Sequence, residues 1–179
     1  MITRLKLERY IGKVVLQFVE LEEIIEQGIA QLINDRTDET GHVIMSDMTF
    51  EQKLRLWNRI SYLHIEWRFE GKDRQAKIES MKQLYCKIEK IKDLRNRIQH
   101  AIRFTEEGKV LIKMRIDRQN KLFDYNDDKL NVEGLKGWNS RFPKYSVMFQ
   151  KEEDWEDFVI KIQNVIEDVF VFNDEIFSF

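Results

Sequence analysis

Apolar residues recur at three- and four-residue spacing over four long stretches of this chain, while proline, which would interrupt them, occurs once. Only seven glycines accompany it, and charged residues make up 35% of the sequence. Such a pattern favours long amphipathic helices over a sandwich or barrel, which needs frequent turn residues. The expected fold class is mainly α, an up-and-down helical bundle. Twelve Phe and four Trp supply bulk for a core, and 179 residues suit a single domain over 1–179.

The first helix is expected from about Leu5 to Asn34, with Ile11, Val14, Val15, Phe18, Leu21, Ile25, Ile29 and Leu32 at helical spacing. Asn34 to Gly41 reads as a polar loop. Thr49-Phe50-Glu51-Gln52 has the form of a capping box and opens a second helix carrying Leu54, Leu56, Trp57, Ile60, Leu63 and Ile65. Gly71-Lys72 breaks that helix, and Asp73 can cap a third running to about Ile102. After Phe104 the period changes to two: Val110, Ile112, Met114 and Ile116 alternate with other residues, and Tyr145 to Phe149 is a further strand candidate. Residues 119–144 form an irregular excursion. A small β-hairpin or meander over approximately 104–150 is therefore expected before the last helix. That helix starts near Glu152, with Trp155, Phe158, Val159, Ile162, Val165, Ile166 and Val169 along one side.

The remaining chemistry narrows the function classes. Cys86 is the only cysteine and has no metal-ligand spacing, so no disulfide, metal or cofactor is expected, and a reducing compartment follows. The first nine residues are charged throughout and lack the apolar centre of a signal peptide, and no run of about 18 apolar residues exists. The expectation is a soluble, cytoplasmic protein with no membrane partner. No Gly-rich phosphate loop, G-x-S-x-G elbow or Cys–His nucleophile arrangement is present, which argues against kinase, Rossmann and hydrolase chemistry. His42 and His64 read as structural or solvated, and Glu20, Glu22, Glu23 and Glu26 as a solvated helix face. Trp138, Arg141, Phe142, Lys144 and Tyr145 interleave aromatic and basic residues, as a single-strand binding surface or a loop tucked onto the core does.

The net charge of −2 excludes a bulk polycation, but the charge is unevenly spread. Residues 72–103 hold ten Lys and Arg against four Asp and Glu, a local +6. Residues 151–179 hold two against nine, a local −7. Two accounts stand side by side: a nucleic-acid surface on the third helix, or complementary charges on neighbouring helices.

Within the basic stretch, Arg95-Asn96-Arg97-Ile98-Gln99-His100 carries the chemistry. Leu84, Ile88, Ile91, Leu94, Ile98, Ala101 and Ile102 share one apolar arc at about 100° per residue. Arg95 falls inside that arc. A lone buried guanidinium costs several kcal/mol, so Arg95 must be paired, reach a wet edge or face a polar interface. Asn96 and His100 are four apart and stack on one helix face, which Arg103 continues and Lys92 precedes.

These groups suit RNA cleavage without a metal. The ribose 2′-OH must lose a proton and attack the adjacent phosphorus, while the leaving 5′-oxygen must gain one. His100 titrates near neutral pH and can serve either transfer. Arg95 can hold the phosphate bidentately, Asn96 can orient the histidine or the sugar, and Lys92, Arg97 and Arg103 can bind RNA. One helix lacks a second proton-transfer group, which a two-fold dimer would supply. A structural histidine and dipole-matched arginines near a helix C-terminus are the competing account.

Arg95-Asn96 followed by His100 resembles the motif of HEPN domains, an arginine separated from a histidine by four to six residues, with a polar residue directly after the arginine. The resemblance covers the first, second, third and last helices, about two-thirds of the chain. It implies a HEPN-like bundle of four to five helices with 104–150 as an insertion. It further implies a metal-independent endoribonuclease with a composite site in a homodimer. Arg95, Asn96 and His100 would be its catalytic residues, and RNA and an antitoxin protein its partners in toxin–antitoxin or antiviral defence. An acidic residue of the first helix joins the site in some members, and Glu22, Glu23 and Glu26 are all candidates. The alternative is a non-catalytic HEPN-like module that binds RNA, a nucleotide or a partner protein.

Overall fold

The computed structural model describes residues 4–33, 39–104, 110–115, 145–147 and 152–177, with backbone alone at 4, 39–40, 97–104, 110–115 and 145–147. The protein is mainly α. Its helices are α1 (Arg4–Ile33), α2 (Glu39–Met45), α3 (Phe50–Arg68), α4 (Gly71–Ala101) and α5 (Glu152–Phe177). Strands β1 (Ile102–Phe104), β2 (Val110–Arg115) and β3 (Tyr145–Val147) pair antiparallel in the order β1-β2-β3. Ile102 faces Ile112 in register, and Lys113 faces Val147. The rest of the 104–150 stretch, including the irregular excursion and Ile116, lies outside the described residues.

The chain divides into two compact units. One comprises Met1–Gly12 with Lys92–Phe158, the other Lys13–Ile91 with Val159–Phe179. In the second unit the apolar stripes meet as a helical bundle. Val14, Phe18, Leu21, Ile25 and Ile29 of α1 are buried, as are Leu54, Trp57 and Ile65 of α3. Ile78, Met81, Leu84, Ile88 and Ile91 of α4 join them, with Ile162, Val165, Ile166, Val169, Phe172 and Ile176 of α5. Each large side chain taken from water contributes about 1.5–3 kcal/mol against the entropy of ordering it.

Side-chain contacts fix the directions of these helices. Gln17 Nε2 of α1 donates to the Val159 carbonyl and to Gln163, and Ile24, two turns on, meets Asn173, so α1 and α5 run the same way. Lys77 pairs with Glu175 while Lys87 pairs with Asp168, so α4 runs against α5. Those two cross-helix ion pairs show complementary neighbours at work in the uneven charge of the sequence.

One buried polar knot ties three helices. Trp57 Nε1 donates to Asn173 Oδ1 at 2.9 Å, and Asn173 Nδ2 donates to the Ile24 carbonyl at 3.0 Å. Both ends of the amide are thereby satisfied in a place where an unmade bond costs about 1–3 kcal/mol. Gly28 makes the room: a Cβ there would lie 2.7 Å from Asn173 Nδ2.

Helix boundaries follow local chemistry, with several corrections to expectation. The capping box at Thr49 forms as expected: Gln52 N–H donates to Thr49 Oγ1, and Thr49 N–H donates to Gln52 Oε1 at 2.8 Å. Glu39 to Gly41, read as loop, belong to α2, which Met45 anchors with a wholly buried side chain. Asp73 lies in the first turn of α4 and does not cap it. Gly71, at φ +56°, lets the chain turn between α3 and α4 within two residues, so the first helical bond is already Arg74 N–H to the Glu70 carbonyl. Ile102, assigned to the third helix, starts β1, because its segment pairs in register with β2. Val15 and Leu63, 39% and 46% exposed, do not join the buried stripes.

In the first unit, Tyr10 stacks on Trp155, with ring centroids 6.2 Å apart. Its hydroxyl donates to Glu156 at 3.0 Å and to Glu152 at 3.3 Å, and Lys6 pairs with Glu152 at 2.6 Å. Burial, then the Glu156 carboxylate, pushes the phenol up to about 12. The Lys6 ammonium holds the Glu152 carboxyl below the usual carboxylate range against the opposing effect of burial.

Candidate active site

The C-terminal part of α4 carries the sequence-predicted site. Ile91 and Leu94 are buried there, while Lys92, Asp93, Arg95 and Asn96 are half-buried. Arg95 Nη1 donates to Asn96 Oδ1 at 2.9 Å. The guanidinium, with its Nε buried, thus meets the side-chain amide oxygen of the next residue at a half-buried position. A charge-assisted bond of this kind is stronger than a neutral one and restricts a long side chain that otherwise samples many rotamers.

The pairing changes the part open to Asn96. Its carbonyl oxygen is engaged by Arg95, which leaves the Nδ2 amide as the group with which it can donate to a sugar, a phosphate or a histidine nitrogen. The helix continues from Asn96 without a break to Ala101, so His100 occupies the backbone position just over one turn beyond Asn96. The side chains of Arg97, His100 and Arg103 lie outside the described residues. Arg103 does not continue the helix face as expected: α4 ends at Ala101, and Arg103 is in β1 opposite Leu111. The backbone groups of 102–104 are taken into the ladder with β2, and that ends the helical period.

The acidic candidates of α1 belong to a cluster that the sequence reading did not find. Lys53, 7% exposed, sends its ammonium to Glu22 Oε1 and Glu26 Oε1, each at 2.5 Å. Burial alone would lower the Lys53 pKa, but the bonds to the two carboxylates outweigh it and leave the value above the usual lysine range. His42 Nδ1 stands 4.0 Å from Glu26 Oε2. Glu22 and Glu26 are therefore not simply a solvated face, while Glu23 is exposed. The signal was present: two glutamates four apart on α1, and a lysine directly before Leu54 on the core side of α3.

His64 is half-buried. Its ring meets Phe177 edge-on at 5.8 Å, and burial, reinforced by Arg68, pushes its pKa below the ordinary histidine value against a backbone hydrogen bond at Ile176. Trp138, Arg141, Phe142 and Lys144 lie outside the described residues, and Tyr145 is described only as a backbone position in β3. Among the described residues no group of three or more His, Cys, Asp and Glu is placed to hold a metal. No helix among them is long and apolar enough to cross a membrane. No family model matches the chain, and no curated protein or solved structure matches it.

Proposed function

We infer that the protein is a HEPN-like, metal-independent endoribonuclease that works as a homodimer. The observation that carries this reading is the Arg95–Asn96 hydrogen bond at a half-buried helix edge, on a helix that runs on unbroken through the position of His100. In this reading Arg95 holds the scissile phosphate and offsets charge on its oxygens as the 2′-oxygen attacks. Asn96 positions the arginine through Oδ1 and the sugar or phosphate through Nδ2. His100 takes the 2′-OH proton or delivers one to the leaving 5′-oxygen, and its copy in the second subunit performs the other transfer. Lys92, Arg97 and Arg103 bind flanking phosphates. The setting is cytoplasmic, in toxin–antitoxin or phage defence, with an antitoxin protein as the silencing partner.

The test is cleavage of a labelled single-stranded RNA in the presence of EDTA. Arg95→Ala and His100→Ala are each expected to abolish cleavage without changing the thermal unfolding curve, and EDTA to leave the wild type active. Cleavage that survives either substitution refutes the mechanism. RNA that binds but is not cut by wild type turns the assignment to a non-catalytic binding module.

A further inference from the structure

The carboxylates of α1 and α5 are compensated unevenly. Lys53 takes Glu22 and Glu26 of α1, while Lys77 and Lys87 of α4 take Glu175 and Asp168 of α5. Glu20, Glu23 and Glu167 are exposed, and among the described residues no Lys or Arg pairs with them. The same two helices leave large apolar side chains in water. Leu16 is 70% and Phe170 60% exposed, and Val19, Ile160 and Val171 are exposed too. Apolar side chains grouped in this way on a surface mark a place where something docks.

Helical spacing puts the two kinds of residue together. At about 100° per residue, Leu16, Val19, Glu20 and Glu23 share one arc of α1, opposite the buried Phe18, Leu21 and Ile25. Ile160, Glu167, Phe170 and Val171 share an arc of α5, away from the buried Ile162, Val165 and Val169. Gln17 donates to the Val159 carbonyl and to Gln163, which sets α1 and α5 side by side. Glu20 follows Gln17 by one turn, and Phe170 follows Gln163 by two. The arcs therefore border one furrow between parallel helices, with apolar side chains and uncompensated carboxylates on both banks.

Charge selects the occupant. Nucleic acid and anionic lipid are repelled by these carboxylates. A second copy is disfavoured as well, because a two-fold axis lays the patch on itself and sets glutamate against glutamate. A helix with one apolar stripe and Lys or Arg beside it satisfies both halves of the surface: the stripe covers Leu16, Ile160 and Phe170, and the cations reach Glu20 and Glu167. We propose that the furrow between α1 and α5, built on Leu16, Val19, Ile160 and Phe170 and bordered by Glu20 and Glu167, docks a basic amphipathic helix of another protein. Neither RNA cleavage nor its silencing is assumed, since the furrow belongs to the unit formed by 13–91 and 159–179, whereas Arg95 and Asn96 belong to the other unit.

The test titrates the full chain into fluorescent synthetic peptides and follows their anisotropy. Each peptide is about 18 residues long, enough to hold a helix once bound. One has Leu at three- and four-residue spacing with Lys elsewhere, the second has Glu in place of Lys, and the third is the Leu/Lys peptide in shuffled order. The Leu/Lys helix is expected to bind wild type with a Kd of about 10 μM, and the other two about tenfold more weakly or not at all. Phe170→Ser and Ile160→Ser should each weaken the Leu/Lys complex. Glu20→Lys combined with Glu167→Lys should turn the preference towards the Leu/Glu peptide, a reversal that a misfolded chain cannot give. Wild type that takes up no peptide, or binds the shuffled one equally well, overturns the proposal. So does a double variant that keeps the original preference. Self-association that Phe170→Ser abolishes would assign the furrow to a second copy and overturn it too. RNA cleavage is scored separately, so failure here and failure of the catalytic assignment are distinguishable.

Discussion

Two glycines of α1 are expected to respond in opposite directions to the same substitution. Gly28→Ala puts a methyl 2.7 Å from Asn173 Nδ2 and 3.0 Å from Asn173 Cγ. The amide cannot retreat without weakening its bonds to Trp57 Nε1 and the Ile24 carbonyl. A buried indole N–H left unsatisfied costs about 1–3 kcal/mol, and forcing a methyl into a packed contact costs about 1–3 kcal/mol. Against this, alanine in place of glycine inside a helix gains about 1 kcal/mol. The net expectation is a loss of about 2–3 kcal/mol, which lowers the urea midpoint by about 1 M at a slope of about 2 kcal/mol/M. Gly12→Ala meets no atom within 4 Å, so it keeps the helical gain and raises stability by about 1 kcal/mol. Urea titration followed by circular dichroism measures both. In an Asn173→Ala background the obstruction is gone, and Gly28→Ala should become neutral or stabilising. Gly28→Ala as stable as wild type, or an equal loss from Gly28→Ala in that background, would refute the reasoning.

Other perturbations follow from the caps and buried charges. Thr49→Ala removes the capping box of α3 and should cost about 1 kcal/mol by the same titration. Lys53→Met leaves Glu22 and Glu26 without their shared cation and should cost about 2 kcal/mol at pH 7 after allowance for their partial exposure. Because the folded-state pKa of Lys53 is raised, its contribution is full at neutral pH and fades only as pH climbs through that raised value. His64, whose pKa is lowered by burial and Arg68, favours the fold above the usual histidine pKa and loses that contribution as pH falls through its lowered value. Urea midpoints from about pH 8 to about pH 5 should therefore fall less steeply for His64→Gln than for wild type.

The helical period and the cap at Thr49 were legible because both are local: spacing and hydrogen-bond chemistry act within a few residues. The interior of α4 was also legible, since Leu84, Ile88, Ile91 and Leu94 share one face, and burial follows that face. Asn173 was not legible. An asparagine late in an amphipathic helix reads as polar surface, and only its position opposite Gly28 and Trp57 makes it a buried tie. Lys53 was hidden for the same reason, because its partners lie 27 and 31 residues earlier in the chain. Gly71 signalled a break correctly, but its left-handed backbone lets α4 begin there, two residues before the expected cap. At the candidate site, the pattern of Arg95, Asn96 and His100 showed which residues share a helix. It did not show that Asn96 turns its carbonyl towards Arg95, because a side-chain bond between adjacent residues depends on rotamers that the helical period does not set.

The unit held by the Asn173 tie is assembled from two separated lengths of chain, Lys13–Ile91 and Val159–Phe179. During synthesis the first length emerges with Trp57 and the stripes of α1, α3 and α4 complete, yet Phe172 and Asn173 are still to be made. At about 5–20 residues per second, translation of the intervening stretch takes roughly 3–13 seconds. Every nascent chain thus passes through an interval in which apolar surface meant for α5 has no cover, and a message that stops short of Asn173 yields a chain that never leaves it.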